Sequence, residues 1–189
     1  MLPILQNLLS YFVTQSDRPI EKLRHEVNHA LNSVQWLLVL APDATETLQV
    51  ATMFHDCERF FEVRTLPAEF GSYQEYKQAH ARNTAQLISQ ALNAHNRADL
   101  SPHVSELIER HEVGGTPESD LLMTADSFAY FDKNIFDYYR WRGVDETKKK
   151  IAFMYQRIPK EWRSRFDETD FDFRHDERLV PLFKEVALT

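Results

Sequence analysis

The chain has only 4 glycines and one cysteine in 189 residues, and its excess charge is acidic. The lone cysteine, Cys57, excludes an intramolecular disulfide and suits a reducing compartment. Beside an apolar run, its thiol is expected to pack rather than to react. A net charge of -7 supplies no basic field for a nucleic-acid backbone, so bulk nucleic-acid binding is not expected. The one long positive run, Lys148-Lys149-Lys150, reads as the solvated face of a helix. No stretch reaches the roughly 18 continuous apolar residues of a membrane span. The opening Met1-Leu-Pro-Ile-Leu-Gln-Asn-Leu-Leu-Ser10 lacks a positive n-region and a small-residue cleavage site, and reads as an amphipathic first helix. A cytoplasmic protein with no membrane attachment is the expectation.

Strand-type alternation is also nearly absent. Apolar residues recur instead at i, i+3, i+4 and i+7. The spacing predicts helices over about 2–14, 19–40, 44–62, 73–95, 101–111, 118–139, 145–158 and 176–187. Pro42-Asp43-Ala-Thr45 breaks one helix and caps the next, Ser101-Pro102 puts proline in a first turn, and Gly114-Gly115-Thr116-Pro117 is a turn or a lid over a pocket. No repeat, low-complexity tract or linker is visible. An all-α fold with a single domain over 1–189 follows, large enough to bury roughly two thirds of its unfolded surface. The aromatic-rich region after about 136 reads as a packing layer that closes part of one pocket wall.

Against this apolar pattern a few polar side chains stand out. The pair His55-Asp56 ends the run Leu48-Gln-Val-Ala-Thr-Met-Phe54, and Leu48, Ala51 and His55 share a helical face. His80 heads the stripe Thr84, Leu87, Ala91, and His111 ends the stripe Val104, Leu107, Ile108. Asp126 lies between Leu121-Leu-Met-Thr-Ala125 and Ser127-Phe-Ala-Tyr-Phe131, where an unpaired carboxylate would cost several kcal/mol. Each has a plain explanation by itself, a hydrogen-bonded core histidine or an ion-paired aspartate. As a set, imidazoles and carboxylates on separate helices suit a shared metal centre. His95, His103 and His175 lie in polar surroundings and are left out of it.

This ordered set resembles the HD-domain superfamily of metal-dependent phosphohydrolases over residues 25 to 135. Met53-Phe-His55-Asp56 is similar to the family's hallmark pair, Met123-Thr-Ala-Asp126-Ser127 to its final aspartate helix, and His80-Ala-Arg-Asn-Thr-Ala85 and Ile108-Glu-Arg-His111-Glu112 to the helices bearing its two extra histidines. The first histidine is His29, followed by the more apolar stretch, or His25, one turn earlier. Glu58 stands where the family often has glycine, Arg59 keeps the basic position, and the Gly-Tyr-Pro element of cyclic-dinucleotide phosphodiesterases is absent after His111.

The resemblance implies an HD-like helical bundle in which His29, His55, Asp56 and Asp126 hold one divalent ion. Asp56 would bridge to a second ion held by His80 and His111. Manganese, iron, cobalt, nickel or zinc would suit these ligands. It implies hydrolysis of a small phosphorylated metabolite or nucleotide by metal-activated water, with Arg59 on the phosphate and Glu58 orienting water or a histidine. Arg110 and Lys133 are lesser electrostatic candidates. A di-iron oxygenase of the myo-inositol oxygenase type, and a metal-containing regulatory or binding module without turnover, are the alternatives for the same residue set.

Overall fold

The computed structural model describes residues 1–187. It is all-α, with no strand among the described residues. The helices are α1 (Pro3–Gln15), α2 (Ile20–Leu40), α3 (Glu46–Phe54), α4 (Tyr73–Ala94), α5 (Ser101–Arg110), α6 (Pro117–Ala129), α7 (Ile135–Arg157), α8 (Arg165–Glu168) and α9 (Leu179–Ala187). None is long and apolar enough to cross a membrane.

Local chemistry starts most of them. The Thr45 side chain accepts from Leu48 N at α3, Ser72 and Glu75 form a capping box at α4, and Thr116 accepts from Ser119 N at α6. Pro3, Pro102 and Pro117 occupy first turns, where a missing N–H costs nothing. The apolar faces these helices share are buried around Leu37, Phe54, Ile88, Ile108, Leu122 and Phe128. Each such fully buried side chain contributes about 1.5–3 kcal/mol relative to an exposed one.

Two elements depart from the periodicity. The helix expected over 44–62 stops at Phe54, and a 3-10 turn over Cys57–Phe60 replaces its second half. Neighbouring side chains on an α-helix diverge by about 100°. The tighter turn instead lets Asp56 reach both its neighbour His55 and His80 on α4. The helix expected over 118–139 also breaks, at a π-helical turn over Tyr130–Asn134 between α6 and α7. The gap foreseen between 139 and 145 shrinks to one residue, Gly143, whose φ of 76° kinks α7.

The aromatic residues near the C-terminus do form a layer. Trp36 stacks on Phe128 at 4.8 Å and on Phe171 at 5.4 Å, and Phe166, Phe173 and Phe183 close around Phe131. Cys57 is buried with its thiol near Thr84 O, and burial pushes its pKa well up, so it packs as expected.

Candidate metal centre

Five elements meet at one point. α2 brings His29, the end of α3 brings His55 and Asp56, α4 brings His80, the residue capping the C-terminus of α5 is His111, and α6 brings Asp126. His29 Nε2 and His55 Nε2 lie 3.2 and 3.4 Å from the same Asp126 Oδ1. One donor atom from each of these three buried residues falls within 4.8 Å of the others, a grouping that could hold a metal ion. Asp56 is next to it, with Oδ2 3.7 Å from His55 Nε2 and Oδ1 2.8 Å from His80 Nε2. The His111 ring centre is 5.2 Å from that of His55 and 6.4 Å from that of His80.

The orientation of the imidazoles is set from behind. His55 Nδ1 donates to Thr52 O at 2.8 Å and His111 Nδ1 to Ile108 O at 2.6 Å, since a carbonyl can only accept. His80 Nδ1 donates to Glu58 at 2.5 Å and His29 Nδ1 to Asn134 Oδ1 at 3.1 Å. Every neutral ring therefore turns a bare Nε2 lone pair inward. Those lone pairs face carboxylate oxygens, which are also acceptors, so a proton or a cation must stand between them. His55 Nε2 is buried without a hydrogen-bond partner among the described residues. The residues thus fit a cation by donor type, grouping and unmet demand. Imidazole with carboxylate selects transition ions over calcium.

Without a cation, protons take part of that role. Burial opposes protonation of His55, but Asp56 and Asp126 outweigh it and raise its pKa to about 9. Burial lowers His111 to about 4, so that ring stays neutral. Burial also works against the Asp126 carboxylate, yet Arg157, His29 and His55 hold its pKa well below the usual range.

His29, and not His25, reaches the cluster. His25 acts through it: Asp137 accepts from His25 Nδ1 at 2.8 Å, Asn134 Nδ2 donates to His25 Nε2 at 3.0 Å, and Asn134 Oδ1 accepts from His29. Glu58 sits behind His80, where its other oxygen accepts from Thr65 N and Thr65 Oγ1. It is buried and positions the histidine. Arg59 lines the cavity, with Nη1 on Asp56 Oδ2 at 3.0 Å. His103 and His175 pair with Glu118 and Asp170 at the surface, His95 caps α4, and Arg110 and Lys133 are exposed and away from the cluster.

The cluster forms the floor of a cavity of about 490 Å³ lined by Tyr73, Tyr76, Tyr138 and Trp141 and by cations that include Lys22, Arg59, Arg142, Lys150 and Arg157. The turn at Gly114-Gly115 takes no part in this lining and is a tight turn, with Gly115 N bonded to Asp120 Oδ1 at 2.8 Å.

Arg157 was absent from the sequence expectations. Its Nη1 donates to Asp126 Oδ2 at 2.8 Å and its Nη2 to His111 O at 2.8 Å. Lys150 corrects another expectation: Lys148 and Lys149 are exposed, but Lys150 is half-buried and lines the cavity. A signal for both existed, because Lys150, Met154 and Arg157 recur at i, i+4 and i+7 and share one face of α7. Asn134 and the ion pair of Glu112 with Lys77 at 2.8 Å had no comparable signal.

No curated protein and no solved structure matches the chain significantly. A family model described as a domain of unknown function, DUF4202, matches residues 13–168, a span that holds every residue of the centre together with Lys150 and Arg157. The chain belongs to the DUF4202 family.

Proposed function

We propose that this protein is a metal-dependent phosphohydrolase acting on a small phosphorylated metabolite or nucleotide. The observation that carries the reading is the set of four inward-facing Nε2 atoms around Asp56 and Asp126, at the floor of a cavity rich in cations although the chain is acidic. The order His29, His55-Asp56, His80, His111, Asp126 resembles that of HD-domain phosphohydrolases and supports the same reading.

In it, His29, His55, Asp56 and Asp126 would hold one ion, and His80 and His111 with Asp56 would be the ligands available to a second. Divalent transition ions bound there would supply Lewis acidity toward a phosphoryl oxygen and a nucleophile at neutral pH. The protein does the rest by positioning. Arg157 neutralises Asp126 from the side opposite the histidines and ties it to His111 O. Glu58 and Asn134 fix the two rings, His80 and His29, whose Nδ1 atoms do not reach their own helix. Arg59 fixes Asp56 and offers its remaining guanidinium donors to phosphate oxygens. Tyr76, which stacks on His80 at 5.9 Å, and Trp141 form the apolar part of the wall.

The test is metal analysis of protein purified without chelators, followed by a screen of phosphorylated metabolites with manganese, cobalt, nickel and iron. Phosphate release that requires both metal and His55 is the expected result. Protein that neither contains nor binds a transition metal sinks the reading. Oxygen consumption by the iron-loaded form, with no phosphate release, would replace hydrolysis with oxidation.

A further inference from the structure

The cations of the cavity differ in one respect. Arg59 is paired with Asp56, Arg157 with Asp126, and Arg18 with Glu62 at 2.7 Å. Lys77, packed behind the wall, is paired with Glu112. Lys150 has no carboxylate and no hydrogen-bond acceptor within reach among the described residues. Its Nζ lies instead beside aromatic rings, 5.8 Å from the Tyr130 ring centre and 5.1 Å from that of Phe153. Among the described residues Lys22, Arg64 and Arg142 also lack a carboxylate, but Lys22 is seated on the Trp141 ring at 3.3 Å, Arg64 donates to Phe61 O and Glu62 O, and Arg142 is exposed.

A half-buried ammonium beside aromatic faces is only partly compensated. Burial accordingly pulls Lys150 down to about 8, although Asp126 and Glu112 favour its charged form. The same wall holds two more donors with nothing to donate to. Tyr130 lines the cavity and is 3% exposed, and its hydroxyl has no hydrogen-bond partner among the described residues. Arg157 Nε is buried and equally unmatched. These three side chains lie on the π-turn and α7, next to the Asp126 side of the metal centre. Unmet donors around a positive charge call for an anion with several acceptor oxygens.

We propose that Lys150 and Tyr130, backed by Arg157, form an oxyanion subsite that binds the phosphoryl group of the substrate beside the metal centre. The identity of the anion rests on the phosphohydrolase reading; the subsite itself rests on the unmet donors. Lys150 is then the phosphate-binding cation that no carboxylate occupies, whereas Arg59 divides its donors between Asp56 and the phosphate. Its flexible stem suits an oxyanion that must enter and leave.

The experiment is calorimetric titration of the protein as purified with inorganic phosphate, with metal content measured for every variant. Lys150→Met should weaken phosphate binding about tenfold or more, as the loss of a charge-assisted hydrogen bond does. Lys150→Arg should recover most of it and Tyr130→Phe should lose a smaller part. Lys149→Ala, one residue away and exposed beside Glu146, should stay within about twofold, because its charge is screened by solvent. Equal affinity in Lys150→Met and the parent, equal losses in Lys150→Met and Lys149→Ala, or no phosphate binding by the parent would each overturn the proposal. Lys150-dependent phosphate binding in a protein that hydrolyses no phosphorylated compound would support the subsite and remove the hydrolase. Metal-dependent hydrolysis with phosphate binding indifferent to Lys150 would do the reverse.

Discussion

Arg157 and Asp126 form a buried ion pair across α7 and α6, with Nη1 2.8 Å from Oδ2 and both side chains no more than 10% exposed. The pair does two jobs at once. It offsets the charge of the one carboxylate shared by His29 and His55, and through Nη2 on His111 O it ties α7 to the end of α5. Through Arg157, α7 is therefore part of the candidate metal centre.

Removing Arg157 should be costly. Arg157→Met leaves Asp126 buried without its cation, and breaking a buried pair costs about 3–5 kcal/mol. Arg110→Ala, which removes an exposed partner of Glu106, should stay within about 0.5 kcal/mol. Urea denaturation of the two variants checks the contrast, and comparable losses would mean that the Arg157 pair is not buried in solution.

Metal affinity should follow the distinction between residues that face the cluster and residues that hold them. His55→Ala and Asp126→Ala should abolish tight binding. Glu58→Gln and His25→Ala should weaken it about 10–100-fold by releasing His80 and, through Asn134, His29. His175→Ala, at an exposed pair with Asp170, should change nothing. Competition against a chromophoric chelator measures all five.

Stability should depend on pH differently with and without metal. The folded-state pKa of His55, about 9, lies above its ordinary 6.5. In metal-free protein its contribution is fully present below pH 6.5 and is lost as pH rises through about 9. A cation at Nε2 must displace that proton, so the gain in Tm on adding metal should grow over the same interval. Thermal unfolding at a series of pH values, with metal or with chelator, reads both slopes; parallel slopes would contradict a proton and a cation competing for His55.

The turn behind His111 should tolerate no side chain. At Gly114 φ is +66°, and a β-carbon would overlap the Asp120 carboxylate that caps Gly115 N. Gly114→Ala should cost about 1–3 kcal/mol, strain plus the lost cap. Gly143 also has a positive φ, +76°, but open space around it, so Gly143→Ala should cost only about 1 kcal/mol. Equilibrium denaturation ranks the two.

Much of this architecture was legible in the sequence because it is local. Caps at Thr45, Ser72 and Thr116 and apolar stripes such as Val104, Leu107 and Ile108 specify helices within a few residues of themselves. The all-α class and the ordered set of histidines and aspartates on separate helices followed from them. The early end of α3 was hidden, because the residues of the Cys57–Phe60 turn keep a helix-like apolar spacing. Its tightening depends on partners 24 and 22 residues away: His80 for Asp56 and His80 for Glu58.

By itself, then, the sequence determined which residues were chemically out of place in an apolar helix, and therefore which could meet at a polar centre. Only the tertiary structure decided that His29 reaches Asp126 while His25 stands behind it, that Glu58 faces away from the cavity, and that Arg157 and Lys150 face into it. The reason is one of range. Periodicity reports the face of a helix on which a side chain lies, whereas the crossing of that helix with its neighbours determines which charge it meets there.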